Sequence, residues 1–369
     1  MRKKIKSTYL LLLPLLLFSC TVGNNSEINP YEISSNIEDP NLSELYILCE
    51  GLAYMNNSTL IRYSFREKKL SKNYFLTQNA RGLGDTGNDM QIYGSKMYIV
   101  VNISSQVEVI DLQTGKSLKR IPFLNESGRP RQPRYIAFDK DKAYVCCFDS
   151  TVVRIDTSSL AVEAITLAGR NPDGICVSNN KLYVSNSGGL NFPDYDNTVS
   201  VIDIPTFTEI RKITVNNNPY RIAADRYGDV YVVSRGDYGV EKYCLQRISS
   251  YTDQVEQVFD EEALNFCIAG DYAYLYHFDY NNNTNWVKVL NIKTEQIERQ
   301  NFITDDTDIT MPYGIAANEA TGDLFITEAK DRMVTGDVLC FDKEGKLKYR
   351  INDIGLNPNQ VVFVEKSKN

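Results

Sequence analysis

The side chains that could carry chemistry are unevenly supplied. His277 is the only histidine, so a His-based triad, a His metal cluster or a CxxCH haem attachment lacks partners. Flanked by Tyr276 and Phe278, it reads as a structural or rim residue. Asp279, Asn281 and Asn283 imitate the start of a calcium loop, but Thr284 stands where that loop needs Gly and no Glu closes it. Tyrosine is abundant, with 24 copies. Turn-rich segments carry Tyr54, Phe192, Tyr195, Tyr220, Tyr238, Tyr280, Trp286 and Tyr313, interleaved with Asn88, Arg134, Tyr135, Asn171 and Arg221. Amphipathic side chains of these kinds suit noncovalent binding of a large ligand that has apolar surface and many amide or hydroxyl groups. No catalytic constellation, cofactor site or metal site is expected.

The elements that must position these residues repeat along the chain. From Asn171 to Ile213 the apolar runs 174–177, 182–184, 199–202 and 209–213 are bounded by Asn, Gly, Pro and Asp, and their period of two describes a four-stranded antiparallel meander. With Pro172 as marker, equivalent positions are Asp89, Pro133, Pro219, Asn265, Pro312 and Pro358, spaced 39 to 47 residues apart. Third strands end in a shared Asp or Asn, as in VEVIDLQTG, VSVIDIPTF and VKVLNIKTE. A four-stranded unit of about 40–50 residues that cannot cover both its faces alone predicts an all-β, seven-bladed β-propeller. Too few residues follow Pro358 for a blade, so VVFVEK is expected to close the first blade, whose own strands are 45–48 and 60–65. The loops between second and third strands and those entering each blade share one face, and that face holds the binding candidates. The variable loops are 50–57, 186–197, 235–243, 277–286 and 328–336.

The N-terminus has four basic residues, an apolar run over 9–18 and a small residue before Cys20. About ten apolar residues are too few to span a bilayer, which predicts a signal peptide over 1–19. Leu17-Phe18-Ser19-Cys20 resembles a bacterial lipobox, implying lipidation of Cys20, a membrane anchor through that lipid and a flexible tether over 20–43 before the propeller at 44–369. Removing the four basic residues takes the formal charge from −7 to about −11, which argues against nucleic acid as a partner. The seven other cysteines lie mostly in apolar strand runs without CxxC spacing and read as packing residues.

KLYVSNSGG, VSVIDIPTFTEIRKI and the NPxxI blade entries resemble YncE-type propellers. EGLAYMNNSTLIRYSF, GLGDTGNDMQIYGSKMYIVV and GRNPDGICVSNNKLYVSNSGG are similar to Bacteroidetes lipoproteins of that type, among them the BtuG family. That resemblance implies an outer-membrane protein, lipid-anchored at the cell surface, that captures vitamin B12 (cobalamin) as a ligand and passes it to a TonB-dependent transporter of the BtuB type. Quinone-cofactor dehydrogenase propellers usually bear repeated docking tryptophans, and this chain has only Trp286. Two other readings stay open. A metal-dependent lactonase-like propeller could draw on Glu50, Asn88, Asn171 and Asn218, and a scaffold would bind a protein partner alone.

Overall fold

In a computed structural model of the protein, residues 32–34 and 36–366 are described. Seven antiparallel sheets form a β-propeller ring, as the repeat spacing predicts. The innermost strands are Gly87–Tyr93, Pro133–Asp139, Pro172–Ser178, Pro219–Ala224, Asn265–Ala269, Pro312–Ala317 and Pro358–Glu365, so every repeat marker falls at the channel-side strand. The repeat read from Asn171 onward becomes strands Pro172–Ser178, Lys181–Asn186, Thr198–Asp203 and Thr208–Thr214.

The C-terminal strand pairs with Leu42–Cys49, from Leu42 opposite Glu365 to Cys49 opposite Pro358 with a register shift near each end, and completes the first blade with Thr59–Ser64 and Lys69–Ser71. Blade 1 is therefore shared between the ends of the chain, and blades 2 to 7 are continuous. The expected signal peptide and Cys20 lie outside the described residues. The boundary of the expected tether does need correction. Glu32–Ser34 adds a fifth strand to blade 1 against Lys69–Ser71, and the first propeller strand already starts at Leu42. Asp39 prepares that start, its Oδ1 accepting the N–H groups of Asn41 and Leu42. The polar composition concealed a segment ordered by backbone pairing and a capping carboxylate.

The core is divided among the spaces between blades. Between blades 4 and 5, Tyr183, Val199 and Val201 pack on Val230, Val232 and Ile248. Between blades 7 and 1, Phe325, Val338 and Cys340 pack on Ile47, Ile61 and Tyr63. Each sheet thus needs both neighbours to cover its apolar faces. The cysteines follow this logic: Cys49, Cys146, Cys147, Cys176, Cys244 and Cys340 are buried free thiols, and Cys267 is half-buried.

The Asp or Asn that recurs at the end of third strands is a turn device. Asp111, Asp156, Asp203 and Asn291 each accept hydrogen bonds from residues two or three positions onward, closing the turn to the outer strand. Asp279 does the same for Asn281 and Asn282, which accounts for the calcium-like spacing there. One proposed loop is shorter than expected. Strands Tyr272–Asp279 and Thr284–Asn291 pair through His277 opposite Trp286 as far as Asp279 opposite Thr284, leaving only 280–283 as turn.

Candidate functional site

The residues that reach the channel mouth do so through a backbone irregularity repeated around the ring. Asn can adopt the left-handed conformation, and Asn171, Asn218 and Asn357 take φ of 45°, 58° and 51° just before the entry prolines. Immediately after this turn, six of the seven innermost strands slip register against the next strand, at Gly87/Asp89, Pro133/Ile136, Pro172/Gly174, Pro219/Ile222, Pro312/Ile315 and Pro358/Gln360. A β-bulge leaves its extra residue out of the ladder and re-aims its side chain. The residues in those slips include Asn88, Arg134, Tyr135, Asp173, Tyr220, Arg221, Tyr313 and Asn359.

These positions converge on a cavity of about 430 Å³ at the channel mouth. It is lined from the inner strands by Asn88, Arg134, Tyr135, Tyr220, Asn265, Tyr313, Asn359 and Gln360, and from the neighbouring loops and strands by Glu50, Arg235, Tyr238, Tyr243, Tyr276, Tyr280 and Arg332. Its hydrogen bonds cross the channel. Tyr135 and Tyr220 place their hydroxyls 3.0 Å apart although they belong to blades 3 and 5. Tyr313 donates to the Glu50 carboxylate. Asp173 lies 2% exposed in blade 4 and accepts from Arg134 Nε at 2.7 Å and from Arg235 Nη1 at 3.3 Å.

The arginines are also held by aromatic faces. The Arg235 guanidinium lies 3.5 Å from the Tyr220 ring centroid, and Arg134 lies 4.5 Å from that of Phe148. Arg332 sits over both Tyr280 and Tyr313 and donates to the Tyr280 hydroxyl at 2.8 Å. Burial opposes the charges on Arg134 and Arg235, but Asp173 and the surrounding phenols outweigh it and raise both pKa values. Burial pushes Tyr243 up to about 12 and, with Glu50 adding to it, Tyr313 well above the ordinary phenol range. Tyr243 and Tyr313 are neutral at physiological pH.

Of the sequence candidates, Asn88, Arg134, Tyr135, Tyr220, Tyr238, Tyr280 and Tyr313 are brought together in this cavity. Phe192, 74% exposed, meets Tyr195 edge to face, and Tyr195 meets Tyr238 at 5.9 Å, so an aromatic row leads from the rim into the mouth. Tyr54 stands on the rim, 83% exposed. Arg221 lies deeper, lining the channel with Asp89 and Gln91. Two candidates make contacts within the scaffold. Asn171 donates to the Phe148 carbonyl and accepts from Leu190 N–H, which locks its turn. Trp286 stacks on His277 with their planes 16° apart, beside the core of blades 5 and 6, and does not line the cavity.

Glu50 and Asn88 line the cavity, Asn171 is committed to its turn, and Asn218 is 1% exposed. Sequence reasoning missed Asp173, Tyr276 and Asn359 and gave no ligand role to Arg235, Tyr243 or Arg332. The available signal was positional: Asp173 and Asn359 directly follow entry prolines, as Arg134, Tyr220 and Tyr313 do.

Fold and mouth together define a ring propeller with a polar, aromatic-lined channel entrance. The chain belongs to the family described as "Domain of unknown function (DUF5074)", whose model matches residues 44–363. No curated protein is significantly similar in sequence. Among solved structures, a quinonprotein alcohol dehydrogenase-like protein from Bacteroides thetaiotaomicron is similar at 15% identity and a TM-score of 0.63, covering 88% of this chain and 79% of its own. Hydrazine synthase of Kuenenia stuttgartiensis is similar at 20% identity and a TM-score of 0.55, over 68% of this chain and 74% of its own. The computationally designed Ika8 protein is similar at 14% identity and a TM-score of 0.55, over 88% and 92%. Likeness at these identities shows the propeller fold.

Proposed function

We propose that this protein is a lipid-anchored capture protein of the outer-membrane surface, holding cobalamin noncovalently over the channel mouth and passing it to a TonB-dependent transporter of the BtuB type. The observation that carries this reading is the convergence of tyrosines, asparagines and paired arginines on one cavity, with Phe192, Tyr195 and Tyr238 extending it outward. Cobalamin is broader than the cavity, so one edge enters while the remainder rests on the rim. Tyrosines that offer a ring face and a fixed hydroxyl suit a corrin edge bearing amides. Lipid at Cys20 would confine the propeller near a transporter and raise its local concentration.

The test is a titration of residues 21–369 with cyanocobalamin, followed calorimetrically. One-to-one binding is expected, with Tyr238→Ala and Tyr220→Ala each weakening it by about tenfold or more. Lack of binding at micromolar concentration overturns the cobalamin assignment.

A further inference from the structure

The mouth carries more positive charge than its carboxylates offset, within a chain of formal net charge −7. Arg134 and Arg235 share one carboxylate, Asp173. Arg332, exposed on the rim, is held by two phenol rings and a hydroxyl instead of a carboxylate. Glu50, the other acidic group lining the cavity, is engaged by Tyr313. Beneath them, the Arg221 guanidinium lies 5.3 Å from the Tyr135 ring centroid, and its buried Nε has no hydrogen-bond partner. A buried guanidinium donor without an acceptor is costly unless something supplies one. Asp89, which faces Arg221 in the channel, has its pKa raised by burial against the pull of that guanidinium, and it accepts from the Ile136 N–H rather than from Arg221 Nε.

We infer that the mouth contains an anion subsite, running from Arg235 down to Arg221, that recognises a phosphate ester or carboxylate on the captured molecule. The planar forks of Arg235 and Arg221 can each offer parallel N–H groups to such an oxyanion, and Arg332 closes over it from the rim. The tyrosines around the fork hold the uncharged part of the same molecule. This deepens the capture reading and rests on it for the assumption that a small molecule enters the mouth, but it does not require that molecule to be cobalamin.

The decisive experiment compares phenyl phosphate with phenol on residues 21–369 by titration calorimetry at constant ionic strength. Phenyl phosphate is expected to bind about tenfold or more tightly than phenol. Arg221→Gln and Arg332→Gln, which break no ion pair, should each reduce its affinity about fivefold or more in protein that still unfolds in a single cooperative transition. Equal affinity for the two probes overturns the subsite, as does undiminished phenyl phosphate binding in both variants. Cobalamin binding without a phosphate preference would remove the subsite and leave capture standing. A phosphate preference without cobalamin binding would keep the subsite and remove the cobalamin assignment.

Discussion

Asp89 shows what a single residue in the channel does to the whole. It is 1% exposed and accepts the Ile136 N–H at 3.0 Å. Burial is the main reason its carboxyl sits above the ordinary 3.8, with Arg221 opposing. Between 3.8 and that raised value the folded chain holds a proton that the unfolded chain releases. This contribution to stability is therefore complete below 3.8 and is lost as pH rises through the folded value. Asp89→Asn should remove that slope. In urea unfolding from about pH 4 to 7, the variant is expected to gain stability relative to the wild type as pH rises, and a pH-independent difference would disprove the assignment. Residue types at the mouth were legible in the sequence because Tyr and Arg clustered in turns. Asp173 was not, because an acid beside a proline looks like any other turn residue until two arginines from other blades close on it.

At the scale of the element, the bulged start of each inner strand lets neighbouring blades touch through backbone. Gly174 is one place where this requires glycine. A Cβ there would lie 2.3 Å from the Tyr220 carbonyl oxygen and 2.7 Å from Ser185 Oγ, which itself donates to that carbonyl at 2.6 Å. Blade 7 repeats the device with Gly314 and Thr327, where a Cβ would lie 2.4 Å from the Asn359 carbonyl oxygen. Gly174→Ala should therefore push blades 4 and 5 apart and cost about 1–3 kcal/mol. An unshifted urea midpoint would show that the strands can yield. Because Tyr220 sits on the displaced segment, the same substitution should also weaken the Tyr135–Tyr220 contact across the mouth. The Asn-Pro signal predicted a turn, and the left-handed Asn residues form one. The bulge that follows left no comparable mark, since register slips depend on the partner strand.

For the whole molecule, closure is the principal constraint. Strand Pro358–Glu365 gives Leu42–Cys49 its inner partner, and its Phe363 stacks on Phe325 of blade 7 at 5.5 Å. Ending the chain at Asn357 would expose an edge of blade 1 and an apolar face of blade 7 together. The truncated protein is expected to melt about 10 °C or more below the intact one, or to lose its single cooperative transition. A melting curve that matched the full-length chain would mean the ring holds without its closing strand.

The architecture was readable from one dimension because it repeats. Alternating apolar residues, turn pairs and a period near 46 residues state a blade several times over, and a terminal strand without a blade of its own states how the ring closes. Those signals are local, arising from strand pleat and turn stereochemistry. The site is not local. Glu50 and Tyr313 are 263 positions apart, and Tyr135 and Tyr220 are 85 apart, so their meeting depends on the curvature of seven packed sheets around one axis. The same closure joins Arg134 to Arg235 through Asp173 and leaves Arg221 Nε in the channel without a partner. Residue types could be listed from the chain, but only ring packing decided which of them share a cavity.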